Sequence, residues 1–305
     1  HAHCGAMIYL GDTFPPEYRN TILMGNIHGN RLNRDILKRS KSGYVGSHGP
    51  DFLISNDKWF RVTAVKPGPD GSVYVSDWYD KQACHSMNEP TWDRTNGRMY
   101  KVEYKGTPFP GAFDYSKLST PELVKLQSDR NDWKVRMARK ALAERKAADA
   151  IPALRELALN GQTQELCLRG LWALYGVGGF DEALAEQTLS SSHPWVRVWT
   201  VRLLGEAGKV SDRLLSRLVE IAGNDSAPEV RSQLASTCQR LSNDTIPLLH
   251  ALMKHDEDAG DQNIPLLLWI AYENRLLKET PRVVEFLNKN SGLALVSGYV
   301  LPRVA

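Results

Sequence analysis

Asp77, Asp80 and His85 place two carboxylates and an imidazole within nine residues. Those ligand types suit a hard or borderline cation. The same two aspartates read otherwise as turn closers, because a short Asp side chain commonly accepts backbone N–H bonds at strand ends. Arg61 follows Trp59-Phe60, and its guanidinium fork can clamp an anion in bidentate fashion or pair with a carboxylate while stacked on a ring. His1 and His3 put two imidazoles on one face of an extended segment but bring no third ligand. Asp12, His28, His48, Asp51, Asp93 and Arg94 also fall near expected strand ends and loops. Of these polar residues Arg61, His28 and Arg94 are the candidates for holding a substrate in a funnel, and Asp77, Asp80 and His85 are the candidates for a metal. Trp59, Trp78 and Trp92 are expected to pack between sheets rather than to stack on sugars.

Four cysteines, Cys4, Cys84, Cys167 and Cys238, include no Cys-x-x-Cys pair. Zinc ribbons, thioredoxin-type motifs and c-type haem attachment are thereby excluded within these residues. Cys84-His85 matches only the end of a haem motif, because position 81 is Lys. Cys4 and Cys84 share the strand-rich part and could form one disulfide in an extracytoplasmic compartment; two independent buried thiols are the alternative. Cys167 and Cys238 sit at apolar helical positions and read as small hydrophobes.

The elements that must position these groups change character near residue 116, where turn-rich, strand-like sequence gives way to repeated amphipathic helices. WFRVTAVKPGPDGSVYVSDW, Trp59 to Trp78, alternates apolar positions on both sides of a Pro-Asp-Gly turn. A strand from Thr21 to Met24 and on through Ile27 is followed by a His28-Gly29-Asn30 turn and a returning strand over Arg31 to Leu37. Shorter strands are expected at Asp51 to Ser55, Arg61 to Val65, Ser72 to Asp77 and Gly97 to Tyr104. Regular short strands with turn signals suggest a propeller blade or a sandwich, and the strand, tight turn, strand and Asp-aromatic ending of residues 65–78 favours the propeller.

Beyond the change, apolar-Arg pairs at Val135-Arg136, Leu168-Arg169, Val196-Arg197 and Val230-Arg231 recur at intervals of 33, 28 and 34 residues. Partner helices are expected over Ala150 to Leu159, Ser211 to Ala222 and Thr245 to Met253, with Pro152 and Pro247 in first turns. This is the pattern of HEAT-like helix pairs, in which neither helix buries its apolar face alone and stacking supplies the core. Asp225 and Arg231, six apart, resemble the Asp and Arg ladder of such repeats, and a fifth pair centres on Asn263 to Trp269. Trp172, Trp195, Trp199 and Trp269 are expected in core or inter-repeat packing.

With 305 residues, 42% hydrophobic and 24% charged, the chain has the composition of a two-domain globular protein. The formal charge of +3 comes from interspersed rather than massed Lys and Arg, which disfavours nucleic acid and anionic membranes as partners. No window approaches the roughly 20 apolar residues of a membrane span. HAHCGAMIYLGD at the start carries neither an initiator Met nor a signal segment, so the expectation is the interior of a longer polypeptide.

The runs HAHCGAMIYLGDTFPPEYRN, GNIHGNRLNR, SKSGYVGSHGPDFL, WFRVTAVKPGPDGSVYVSDWYD and RTNGRMYKVEY resemble the last blades of the large propellers of planctomycete and verrucomicrobial bacteria known as membrane-bound dehydrogenase-like or haem-binding proteins. That family is similar to quinoprotein glucose and sorbosone dehydrogenases, and HEAT-type repeats and often a cytochrome c domain follow its propeller. The resemblance is strong over residues 1–105 and looser in the repeats. It implies a partial β-propeller, the last two or three blades, followed by an all-α HEAT-like solenoid. The expected divisions are blades over 1–106, a linker with a first helix over 107–127, and repeats over 128–305. It further implies a periplasmic or extracellular location, a c-type haem in a segment not present here, and possible calcium or quinone. Expected partners are a cytochrome or other protein on the solenoid, and carbohydrate. The segment itself is expected to be mainly structural and interactive within an oxidoreductase; the alternative is a non-enzymatic scaffold binding a protein or an extracellular polysaccharide. The catalytic base and quinone contacts of the sugar dehydrogenases have no matching motif in these residues.

Overall fold

The computed structural model describes residues 2–82, 93, 95–108, 110–276, 278 and 280–304. The chain folds as two compact units, one of His1–Lys38 with Val45–Ala147 and one of Arg39–Tyr44 with Ala148–Ala305.

The first unit contains two antiparallel meanders. β1 (His3–Ile8), β2 (Thr21–Asn26), β3 (Arg31–Ser40) and β4 (Gly43–His48) follow in order, and β5 (Leu53–Ile54) pairs with the start of β3. The second sheet runs β6 (Val62–Pro67), β7 (Val73–Asp77) and β8 (Arg98–Val102). The described residues form no closed sheet. The hairpin around His28 is present, with Asn26 opposite Arg31 and Thr21 opposite Ile36. The Pro-Asp-Gly turn is also present, with Gly71 at φ 78° and Asp70 Oδ1 accepting the Ser72 N–H at 3.1 Å.

Alternation puts Leu23 and Leu32 of one sheet and Val62, Val65, Val73 and Val75 of the other into one core with Tyr9 and Phe60. Gly5 permits the close approach of β1 to β6: it lies at φ 65° beside a bulge, and a Cβ there would meet Ala64 Cα at 2.7 Å. The strand expected at Asp51 to Ser55 shrinks to two residues, because Asp51 turns aside to Arg31 and Asn33. Two strands were not expected from the sequence, β1 and the exposed β4.

α1 (Thr120–Lys125) and α2 (Asp132–Glu144) complete the first unit. Ser119 and Glu122 cap α1 reciprocally, and the Asn131 side chain accepts the Trp133 N–H to start α2.

The second unit is a stack of helix pairs. α4 (Gln164–Gly176), α6 (Pro194–Glu206), α8 (Pro228–Cys238) and α10 (Ile264–Leu276) are successive neighbours in one layer. In the other layer α3 (Ile151–Asn160) meets α5 (Glu182–Thr188), and α7 (Asp212–Asn224) meets α9 (Ile246–Leu252). α11 (Thr280–Lys289) and the short α12 (Leu301–Val304) follow. Prolines open α6 and α8 and stand in the first turns of α3 and α9, where a missing N–H costs nothing. Residues from α5 to Val300 form a continuous apolar core in which Val230, Leu234, Leu249 and Leu268 are buried.

Polar rungs cross this stack. Arg197 binds both carboxylate oxygens of Asp225 at 2.7 and 2.8 Å, and Arg231 binds both of Asp258 at 2.6 Å. Each arginine also donates to the carbonyl six residues earlier, Arg197 to Ser191 and Arg231 to Asp225, at 2.7 Å. Asp225 and Arg231 therefore meet through the Asp225 backbone, while the Asp225 carboxylate serves the preceding repeat.

The hairpin tip Arg39–Tyr44 belongs to this unit. Asp261 accepts the Ser42 N–H at 2.9 Å and its hydroxyl at 2.6 Å, together with the N–H groups of Asn263 and Ile264. Burial alone would raise the Asp261 carboxyl, but these donors hold it below the ordinary carboxylate value. Arg39 pairs with Glu229 and lies over the Trp195 ring.

Candidate functional site at the strand ends of the sheet unit

Asp77 ends β7 opposite Val62, the first residue of β6. Its Oδ1 accepts the N–H groups of Arg61 at 2.7 Å and Tyr79 at 2.9 Å, and Asp80 Oδ1 accepts the Gln82 N–H at 3.0 Å. The chain turns sharply here, with Tyr79 at φ 54° and backbone bonds from Trp78 to Arg61 and from Asp80 to Trp59. Both aspartates thus close turns, the second of their two expected uses.

Arg61, Asp77 and Asp80 are buried together. The Arg61 guanidinium donates to the Phe60 and Lys81 carbonyls, each at 3.0 Å. Burial lowers its pKa, and Asp80, Asp77 and Asp57 oppose that shift in this order. Carboxylates and carbonyls together balance this buried charge. Arg61 Nε and Asp77 Oδ2 remain buried without a hydrogen-bond partner.

No group of three His, Cys, Asp or Glu able to hold a metal occurs among the described residues. His1, Cys84, His85, Trp92 and Arg94 lie outside the described residues. Cys4 donates its thiol to the Thr63 carbonyl at 3.2 Å. His28 is exposed in its turn, with Nδ1 accepting the Ala2 N–H at 3.3 Å. Asp93 accepts bonds from Thr95 and Asn96 within its own loop. Trp59 lies against the Tyr79 ring, whereas Trp78 is 58% exposed and does not fill the packing role expected of it.

A second polar network lies on the neighbouring sheet. Asn33 accepts from Asn26 Nδ2 at 3.0 Å and donates to Asp51 Oδ1 at 2.6 Å, while Arg31 binds Asp51 Oδ2 at 2.7 Å. His48 Nδ1 meets Asp35 Oδ1 at 2.6 Å, and Asn33 Nδ2 lies 3.5 Å from His48 Nε2. The carboxylate on Nδ1 favours the tautomer with its proton there, leaving Nε2 as the basic nitrogen. His48 and Asp51 were candidates by type. Asn26, Asn33 and Asp35 were not, although the i, i+2 polar alternation of Asn33 and Asp35 on β3 was a usable signal.

In the helical unit, Cys167 and Cys238 are buried, and burial pushes the Cys238 thiol up to about 12. Trp172 and Trp199 pack edge to face at 5.0 Å. No helix among the described residues is long and apolar enough to cross a membrane.

Two family models match parts of the chain: a domain of unknown function, DUF7133, over residues 1–106 and HEAT repeats over residues 182–263. No curated protein and no solved structure matches it. Residues 182–263 are thus similar to HEAT repeats, and the chain is a sheet unit followed by helical repeats.

Proposed function

We propose that this chain is a structural and interaction element of an extracytoplasmic protein, with its sheet unit contributing blades to a propeller and its solenoid holding a protein partner. The observation that carries this reading is the HEAT match over residues 182–263, which spans α5 to α9 of a stack whose α4, α6, α8 and α10 are successive neighbours in one layer. HEAT repeats commonly mediate protein interaction. The layer carries exposed Tyr175, Leu266 and Ile270, the kind of apolar group a partner covers. The test is cross-linking of the full protein in its native extract, comparing wild type with Leu266→Asp plus Ile270→Asp. One partner cross-linked in fixed ratio to this layer, and lost in the variant at unchanged melting temperature, supports the reading. A cross-link pattern that is the same in both opposes it.

A second reading rests on the resemblance of residues 1–105 to quinoprotein-like dehydrogenases and on the unpartnered, buried Asp77 Oδ2. In it the complete protein oxidises a sugar-like or alcohol substrate and passes electrons to a c-type cytochrome. Dye reduction by the full protein with a sugar or alcohol, lost in a folded Asp77→Asn variant, would favour this reading over the scaffold.

A further inference from the structure

α9 and α11 flank a cavity of about 360 Å3 lined by His250, Lys254, Arg282, Glu285, Phe286 and Lys289. The His250 ring stacks on Phe286 with centroids 3.7 Å apart and planes 7° from parallel, and its Nε2 lies 3.0 Å from the hydroxyl of fully buried Tyr272. This imidazole is therefore fixed from two sides. Arg282 bonds Asp244 at 2.7 Å, but among the described residues neither Lys254 nor Lys289 has a carboxylate at ion-pair distance. Three cations thus stand against two carboxylates, Glu285 in the wall and Asp244 on Arg282, and the excess positive charge around the two lysines is what an anion would offset.

We infer that this cavity binds a small multivalent oxyanion, bearing phosphate or carboxylate groups, between Lys254, Arg282 and Lys289 and against the His250 ring. Lysine ammonium groups hold such ligands as point charges, and the arginine fork adds direction. The aromatic pair gives the cavity a rigid wall, so little ordering is needed on binding.

His250 also provides a reporter. Burial first, then Arg282 and Lys254, lower its pKa to about 4, against the opposing pull of Asp244. The groups facing it are Lys254 in the turn after its own helix, Tyr272 on α10, Arg282, Glu285 and Lys289 on α11, and Asp244 ahead of α9. A bound anion neutralises part of the cationic field and raises that value.

The test is calorimetric titration of the chain with pyrophosphate and, separately, citrate at fixed ionic strength, alongside histidine proton resonances followed through pH. Expected is saturable binding of one equivalent, weakened at least about tenfold in Lys254→Gln and in Lys289→Gln, a change of about 1.4 kcal/mol. Both lysines are exposed, so their variants should melt with the wild type. The His250 resonance should titrate at higher pH when the anion is present. Pyrophosphate alone binding marks a phosphate ligand, and citrate alone marks a polycarboxylate. Absence of saturable heat with either probe, or binding unchanged in both lysine variants, would overturn the inference.

Discussion

Asp77 engages two backbone N–H groups with one carboxylate oxygen and keeps the other buried within electrostatic reach of Arg61. Removing the side chain orphans the N–H groups of Arg61 and Tyr79 and takes a counter-charge from a buried guanidinium. Asp77→Ala should therefore cost about 1–3 kcal/mol in urea unfolding. Asp77→Asn keeps an Oδ1 acceptor and should cost less. Equal stability of the alanine variant and the wild type would show that the turn does not depend on this cap. Calcium titration separates turn closing from metal binding: a melting temperature raised by calcium in the wild type but not in the asparagine variant would support the cation reading. Asp77 and Asp80 were legible as turn closers because each accepts an N–H only two residues on, while Arg61 joins them across the β6–β7 pairing, 16 residues from Asp77. The Asn33, His48 and Asp51 network was not, because its partners lie 15 and 18 residues apart and meet only through the register of β3 and the break between β4 and β5.

At the scale of elements, the repeats were legible because each helix announces its own start. Pro194 and Pro228 open α6 and α8, and Ser211 caps α7, each a signal contained within one turn of chain. Strands β1 and β4 gave weaker signals: Gly43–His48 is exposed over nearly its whole length, so no buried face imposes an apolar alternation. The Arg231 and Asp258 rung is the sharpest test of the stack, since both side chains are 3% exposed and bonded through two oxygens. Breaking one side leaves an uncompensated buried charge. Arg231→Met should cost about 3–5 kcal/mol, while Arg231→Met combined with Asp258→Leu should recover much of the loss. Unfolding of the two variants and the wild type by urea checks this. A double variant no more stable than the single one would mean that the bond from Arg231 to the Asp225 carbonyl, rather than the ion pair, holds the rung.

At the scale of the whole molecule, stack and sheet unit differ in how they end. A solenoid repeat needs only its neighbour, and the core continues unbroken from α5 to Val300. A sheet needs its edges covered, and the described residues leave β8 paired on one side only, with Met99 71% exposed and Tyr100 39% exposed. Such an edge is a template for another strand. The chain by itself should therefore associate through β8 as its concentration rises from micromolar towards millimolar, the range in which exposed edges drive assembly. Light scattering should show a mass above that of one chain, and Met99→Lys should return the mass towards monomer, because a charge on the edge strand opposes strand addition. The melting temperature should not fall in that variant, since Met99 contributes little to the core. A monomer at every concentration would mean that β8 is already protected, and an association unaffected by Met99→Lys would place the contact elsewhere, with exposed Tyr44 and Val45 of β4 the next edge to substitute.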